Sequence, residues 1–149
     1  MPTMYYMVNV EAAIYRDDRW LIIRRSELEE HAPGTLSLVG GKVDGTTSCA
    51  SVLEETLRRE IAEEVGITVS DIKYLESKAF ITNHGQPVVD IVFLCRYYCG
   101  DARCVSEEEV AAVYWLTQQE IDASADAPWY LKQTLALAEM ARKSRSETA

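Results

Sequence analysis

The sequence predicts a mixed fold of the α/β (α+β type) class, one mixed sheet with helices packed on its faces. Three observations predict it. Runs rich in β-branched and aromatic residues occur as neighbours separated by turn residues. Leu53, Leu57, Ile61 and Val65 recur every four residues, the stripe of a helix set between strands. A second amphipathic run, 128–143, follows the last strand. The order strands, helix, strands, helix lets adjacent strands pair as hairpins and gives each helix a sheet face to cover.

A chain of 149 residues is read as a single domain, 1–149. A formal net charge of −9 argues against a nucleic-acid polymer or an anionic membrane as partner. A small anionic ligand remains compatible, because bound metal and a few arginines can make one site locally positive. Met1 to Val10 lacks a basic leader pattern and no apolar run reaches bilayer length, so the cytoplasm is the expected compartment. Cys49, Cys95, Cys99 and Cys104 have neither Cys-x-x-Cys spacing nor neighbouring histidines, which argues against zinc. Cys95 and Cys99 read as small buried hydrophobes.

Taken in order, Tyr5 to Ile14 reads as a strand, Arg16-Asp17-Asp18-Arg19 as a turn, and Trp20 to Arg25 as the returning strand. Neighbours on a strand point to opposite faces, so only one of Arg24 and Arg25 can aim into a site and hold phosphate. Ser26 to His31 connects, Ala32-Pro33-Gly34 turns, and Thr35 to Val39 forms a short strand into Gly40-Gly41. The helix is expected to start near Ser48 to Ser51 and to stop at Gly66 as a C′ residue. Asp71 to Thr82 and Gln86 to Cys99 read as long strands joined through Asn83-His84-Gly85, with His84 a turn residue. Gly100 to Glu109 is a loop ending in Glu107-Glu108-Glu109, and Val110 to Leu116 a further strand. Thr117-Gln118-Gln119-Glu120 carries a capping box. In the terminal helix Tyr130, Leu131, Leu135, Leu137 and Ala138 are expected to face inward, and the last six residues to fray. Trp20, Phe80, Tyr97 and Tyr98 could stack on a base, although strand aromatics are more often core.

The chemistry concentrates in one stretch. At ~100° per residue, Glu60, Glu63 and Glu64 fall on one helix face. Three carboxylates held that close repel unless a cation sits among them, and a hard oxygen-seeking ion such as Mg²⁺ suits. Alone, such a face is commonplace, and Gly40-Gly41 alone is a tight turn. Their conjunction, with Arg59 directly ahead of the first acid and Gly66-Ile67 closing the helix, is what marks a site.

Arg59-Glu60-Ile61-x-Glu63-Glu64-x-Gly66-Ile67, after Gly40-Gly41-Lys42-Val43-Asp44, resembles the signature of the Nudix hydrolases, which cut nucleoside diphosphates linked to another group. Tyr114-Trp115-Leu116-Thr117-x-x-Glu120-Ile121 resembles that family's late strand-to-helix corner. The second half of the signature matches at every defining position. The first half departs. Ser51 stands where the family has a glutamate, and Gly41 to Arg59 is four residues longer than usual, read as a loop through 45–49. Leu36 and Val39 replace a common tryptophan and proline.

The resemblance implies a Nudix-like α/β/α sandwich with its signature at 40–67, and metal-assisted displacement at phosphorus. Glu60 and Glu64 would be the main ligands for Mg²⁺ or Mn²⁺, joined by Glu63 and the carbonyl of Gly41. Arg59 would hold the glutamates. The general base would be a signature glutamate, Glu63 or Glu64, or one of Glu107, Glu108 and Glu109. Arg24, Arg25 and Lys42 are the candidates for phosphate contact. Glu55, four residues before Arg59, could replace the missing glutamate as its partner. The expected partner is a small nucleotide-type substrate, with a homodimer left open. A domain that binds without hydrolysing is the first alternative, motivated by Ser51. An isoprenoid diphosphate isomerase using Cys49 is a distant second.

Overall fold

The computed structural model describes residues 2–45 and 49–148, apart from the side chains of 146–148. Its elements are β1 (Met7–Arg16), β2 (Arg19–Arg25), β3 (Leu36–Ser37), β4 (Val39–Lys42), α1 (Val52–Val65), β5 (Thr68–Ile81), β6 (Pro87–Cys99), β7 (Val110–Thr117), α2 (Gln118–Ala123) and α3 (Trp129–Thr148). The strands form a seven-stranded mixed sheet ordered β3-β2-β1-β6-β5, with β4 also on β1 and β7 also on β2. The β1–β6 pair is parallel and the others are antiparallel.

Alternation along β1 builds the two cores. Val10, Ala12 and Ile14 pack with Leu21 and Ile23 under Leu57, Ile61 and Val65 of α1. Ala13 and Tyr15 turn the other way and pack with Trp20, Ile22, Val92 and Leu94 under Ile121 of α2 and Leu131, Leu135 and Ala138 of α3. Both sheet faces are thus covered, which is the expected α/β/α sandwich. Trp20 is core.

The sheet splits where the site forms. β1 meets β2 only at Tyr15↔Trp20 and Arg16↔Arg19. Beyond that, β4 takes the edge of β1, from Ala12↔Val39 to Asn9↔Lys42, while β2 runs on with β7. Gly40-Gly41 is therefore strand rather than turn. At Gly40 the backbone of β1 approaches so closely that a Cβ would overlap the Val10 carbonyl. Only glycine permits that pairing.

Several boundaries differ from the expectation for identifiable reasons. Ser51 precedes α1 but does not cap it with its side chain, because it adopts φ 55°, ψ 40°. Of the loop expected at 45–49, and of the expected helix start at Ser48 to Ser51, residues 46–48 lie outside those described. Gly66 ends α1 as expected, at φ 73° with its N–H donating to the Ile61 and Ala62 carbonyls. The capping box of α2 forms, with Thr117 and Glu120 bonded reciprocally at 3.2 and 3.0 Å. Helix α3 continues to Thr148 instead of fraying, since Arg145 ties its last turns to the Tyr15 hydroxyl and the Asp71 carbonyl. Tyr130 and Leu137 remain 38% exposed, because Leu131, Leu135 and Ala138, with buried Thr134 bonded to Glu76 and Lys78 of β5, make the contact with the sheet. Cys99 is exposed at the end of β6, past the core that buries Cys95. Among the described residues no helix is long and apolar enough to cross a membrane.

Candidate active site

Helix α1 delivers two of the predicted acids to the split. Glu64 is 7% exposed, and the side chain of Glu60 is 12% exposed against Gly41. They are four residues apart, ~40° around the helix, so their carboxylates stack. Glu63 sits ~60° to the other side and is exposed. Its carboxylate lies 3.5 Å from Arg59 instead of with the other two.

The third acid comes from the later loop. Ligand oxygens of Glu60, Glu64 and Glu109 lie within 4.8 Å of one another. That loop is fastened to the end of α1, where Arg103 and Val105 donate their N–H groups to the carbonyls of Val65 and Glu64 at 3.1 and 3.0 Å. The helix end would otherwise leave those acceptors unpaired. A bond of 3.0 Å from the Ser26 N–H to the Glu109 carbonyl fixes the other side. Glu107 and Glu108 stay exposed in the turn, outside the trio.

The electrostatics are those of an anion cage. Burial, then the charges of Glu109 and Glu60 and a hydrogen bond with Glu109, push the Glu64 carboxyl up to about 9, although the Gly40 N–H donates to it. Burial also raises Glu60, partly offset by Arg59. Glu64 Oε2 is buried with no hydrogen-bond partner. A buried acceptor without a partner is costly, and a divalent cation coordinated there would satisfy it. Three carboxylates around such an atom fit Mg²⁺ or Mn²⁺.

Arg59 braces this cage. It donates to Asp44 at 3.1 Å and Glu60 at 3.2 Å. Glu55 does not partner it. Glu55 instead bonds Arg58 at 3.3 Å, while Asp44, two residues past β4, pairs with Arg59 at 3.1 Å. Accordingly, Glu55→Gln is expected to leave turnover within about twofold, whereas Asp44→Asn lowers it ~10-fold or more. Steady-state kinetics on the two variants checks this.

Arg24 and Arg25 both engage protein partners. Arg24 donates to the Gly34 carbonyl at 2.8 Å and pairs with Asp126 at 3.2 Å. Arg25 donates to the His31 carbonyl at 2.9 Å and pairs with Glu29 at 3.4 Å. Lys42 is exposed at the end of β4. Cys49 is exposed and free, and burial pushes the Cys95 thiol up to about 12. Sequence reasoning missed a second acid pair, Glu11 and buried Asp90, on the sheet face that α3 covers. Glu11 is raised well above its ordinary value by burial and then by its hydrogen bond to Asp90, which also accepts from Asn9 at 2.6 Å. Their even spacing with Ala13 and Val92 was the available signal.

The NUDIX domain model matches residues 5–137. The chain belongs to the Nudix hydrolase family. It is 33% identical to the uncharacterised Nudix hydrolase YfcD of Salmonella typhi over 138 residues, covering 87% of this chain and 67% of that one. Against YfcD of Escherichia coli K12 the match covers 56% of the relative, so this Nudix chain spans about half to two thirds of such relatives. A MutT NUDIX hydrolase from Burkholderia pseudomallei superposes with a TM-score of 0.75 at 28% identity, covering 89% of this chain and 98% of that one. The NUDIX domain of Shewanella oneidensis NrtR, solved with ADP ribose, superposes with a TM-score of 0.72 at 22% identity, over 95% and 90% of the two chains.

Proposed function

We propose that this Nudix protein hydrolyses a diphosphate linkage in a nucleoside diphosphate joined to another group, using one or more divalent cations, Mg²⁺ or Mn²⁺. The observation that carries the reading is the convergence of Glu60, Glu64 and Glu109 around the unpartnered Glu64 Oε2. A bound cation supplies charge neutralisation for the diphosphate and acidifies water.

The chain's own residues divide the remaining work. Glu60 and Glu64 would hold the cation, with the Gly40 N–H bonded to the Glu64 carboxylate. Arg59, with Asp44 behind it, fixes Glu60. Glu109 reaches the site from a loop and is the acid best placed to accept a proton from water. Glu63 is assigned a positioning role through Arg59. Glu109→Gln is therefore expected to reduce kcat ~10²-fold or more with KM little changed, while Glu107→Gln and Glu108→Gln stay near the parent.

The domain that binds without hydrolysing was motivated by Ser51. Asp44 at 3.1 Å from Arg59 supplies the counter-charge that Ser51 lacks, which supports hydrolysis over binding alone. The test is phosphate release, coupled to phosphatase or pyrophosphatase, from nucleoside triphosphates, ADP-ribose, nucleotide sugars and dinucleoside polyphosphates, with Mg²⁺ or chelator. Metal-dependent turnover lost in Glu64→Gln supports the proposal. Ligand binding without turnover on any of them would replace it with the binding reading.

A further inference from the structure

Away from the carboxylate trio, the β1–β2 hairpin, β6 and α3 border an open cavity of about 570 Å³. Arg16, Arg96 and Arg142 line it with Tyr15 and Tyr97, and Asp17 and Asp18 share its wall. Tyr15 and Arg16 lie four and five residues along β1 from Glu11, which pairs with Gly40 at the catalytic split. At ~3.3 Å per residue the two places are ~15 Å apart along the strand.

Guanidinium groups converge here although the chain as a whole is strongly acidic. Arg96 Nε and Arg145 Nη1 both donate to the Tyr15 hydroxyl, at 3.2 and 3.3 Å. Two cations thus meet on one neutral oxygen. Burial pushes that phenol up, yet the hydrogen bonds and charges of Arg145 and Arg96 outweigh it and hold the hydroxyl below its ordinary value. Four guanidinium groups thus gather in or beside the cavity, with Asp17 and Asp18 in its wall, Asp71 3.7 Å from Arg96 and Glu139 paired with Arg142.

The arginines divide into two kinds. Arg142 and Arg145 fasten α3 to the Asp17 and Asp71 carbonyls, at 3.0 and 2.7 Å. Arg16 has no such duty. Among the described residues it is held by rings, 4.4 Å from the Tyr97 centroid and 5.9 Å from that of Trp115, rather than by a carboxylate. Arg96 is exposed beside it, with its nearest carboxylate only loosely placed. Planar forked donors of this kind recognise phosphate oxygens in pairs.

We propose that this cavity binds a phosphate-class oxyanion through Arg16 and Arg96, with Arg142 beside them, as a site separate from the catalytic carboxylates. Recognition requires only the phosphoryl oxygens, so inorganic phosphate and the phosphoryl group of a nucleotide share the same chemistry. The inference is independent of whether the trio hydrolyses anything.

The test uses the full chain with chelator present, so that no metal can bridge phosphate to the carboxylates. Inorganic phosphate and, separately, AMP are titrated at constant ionic strength while the arginine Nε–H and tyrosine ring signals are followed by NMR. Saturable shifts are expected at Arg16, Arg96 and Tyr15. Arg16→Gln combined with Arg96→Gln is expected to weaken binding at least ~10-fold, and Glu64→Gln to leave it within about twofold. Equal affinities identify the free oxyanion as sufficient, and tighter AMP identifies the nucleotide as the better source. Non-saturating shifts, shifts reproduced by matched chloride, or affinity unchanged in the double variant would overturn the proposal. Should the double variant not fold, Arg16→Gln alone decides, because among the described residues that guanidinium is held by the Tyr97 and Trp115 rings, and its loss must still weaken binding.

Discussion

Glu64→Gln is expected to abolish metal-dependent turnover while making the metal-free protein more stable. The two effects have one cause. Glu64 is almost fully buried beside Glu60 and Glu109, and one of its oxygens has no partner. That arrangement suits a cation and is unfavourable without one. Removing a cation ligand worth several kcal/mol in the transition state lowers the rate ~10³-fold or more. Glutamine keeps the shape and folds without taking up a proton, whereas Glu64, with a folded pKa of about 9, must bind one at pH 8. Metal-free Glu64→Gln at pH 8 should therefore melt several degrees above the parent, a gain of ~1–3 kcal/mol. A purely structural acid would show the reverse, a loss of stability on substitution.

The pH dependence follows from the same carboxyl. Its folded pKa, about 9, lies above the ordinary value of 4.5. Stability from this group is thus fully present below about pH 4.5 and is lost as pH rises toward 9. The metal-free parent should weaken across that window, and thermal melts at several pH values would show it. The cation competes with the proton, so at subsaturating Mg²⁺ turnover should rise with pH over the same window. Saturating Mg²⁺ should flatten that rise, which pH–rate profiles at the two concentrations test.

The second large effect concerns the two glycines of β4, which should fail differently. A Cβ at Gly40 would overlap the Val10 carbonyl and lie 2.9 Å from the Glu11 Cα, both backbone atoms of the central strand. Neither can move without breaking the β1–β4 pairing. Gly40→Ala is expected to destabilise by ~3 kcal/mol or more, read as a large fall in Tm. At Gly41 the obstacle is the Glu60 carboxylate, with both oxygens 2.6 Å from the added carbon. A side-chain end can swing aside, so Gly41→Ala should fold with Tm close to the parent. Displacing Glu60 from the trio should nevertheless weaken metal binding ~10–100-fold. Equal losses of stability in the two variants would contradict this division.

Periodicity made the scaffold legible. The four-residue spacing of Leu53, Leu57, Ile61 and Val65 placed α1, and the capping box at Thr117 placed α2, because both depend on residues close in sequence. Glu60 and Glu64 were legible for the same reason. The third member of the trio was harder, because helical spacing alone favours Glu63. What separates Glu63 from Glu109 is a set of backbone bonds between the end of α1 and residues 103–105, contacts that no local pattern encodes. The Arg59 partner likewise depended on how β4 enters the site, which favours Asp44 over Glu55 by geometry rather than by spacing. The partners of Arg24 and Arg25, the Gly34 and His31 carbonyls and the carboxylates of Asp126 and Glu29, come from turns and a distant segment and were not legible in the spacing of the two arginines.

The most direct test of the carboxylate cage is Mn²⁺ binding, followed by electron paramagnetic resonance, in the parent and in the Glu64→Gln, Glu109→Gln and Glu63→Gln variants. Binding that is tight in the parent, lost in Glu64→Gln, and nearly unchanged in Glu63→Gln and in Glu109→Gln, the variant of the proton acceptor, is the expected result. Equal Mn²⁺ affinity in all four proteins, or a loss confined to Glu63→Gln, would contradict the assignment of the cation to Glu60 and Glu64, with Glu109 beside them.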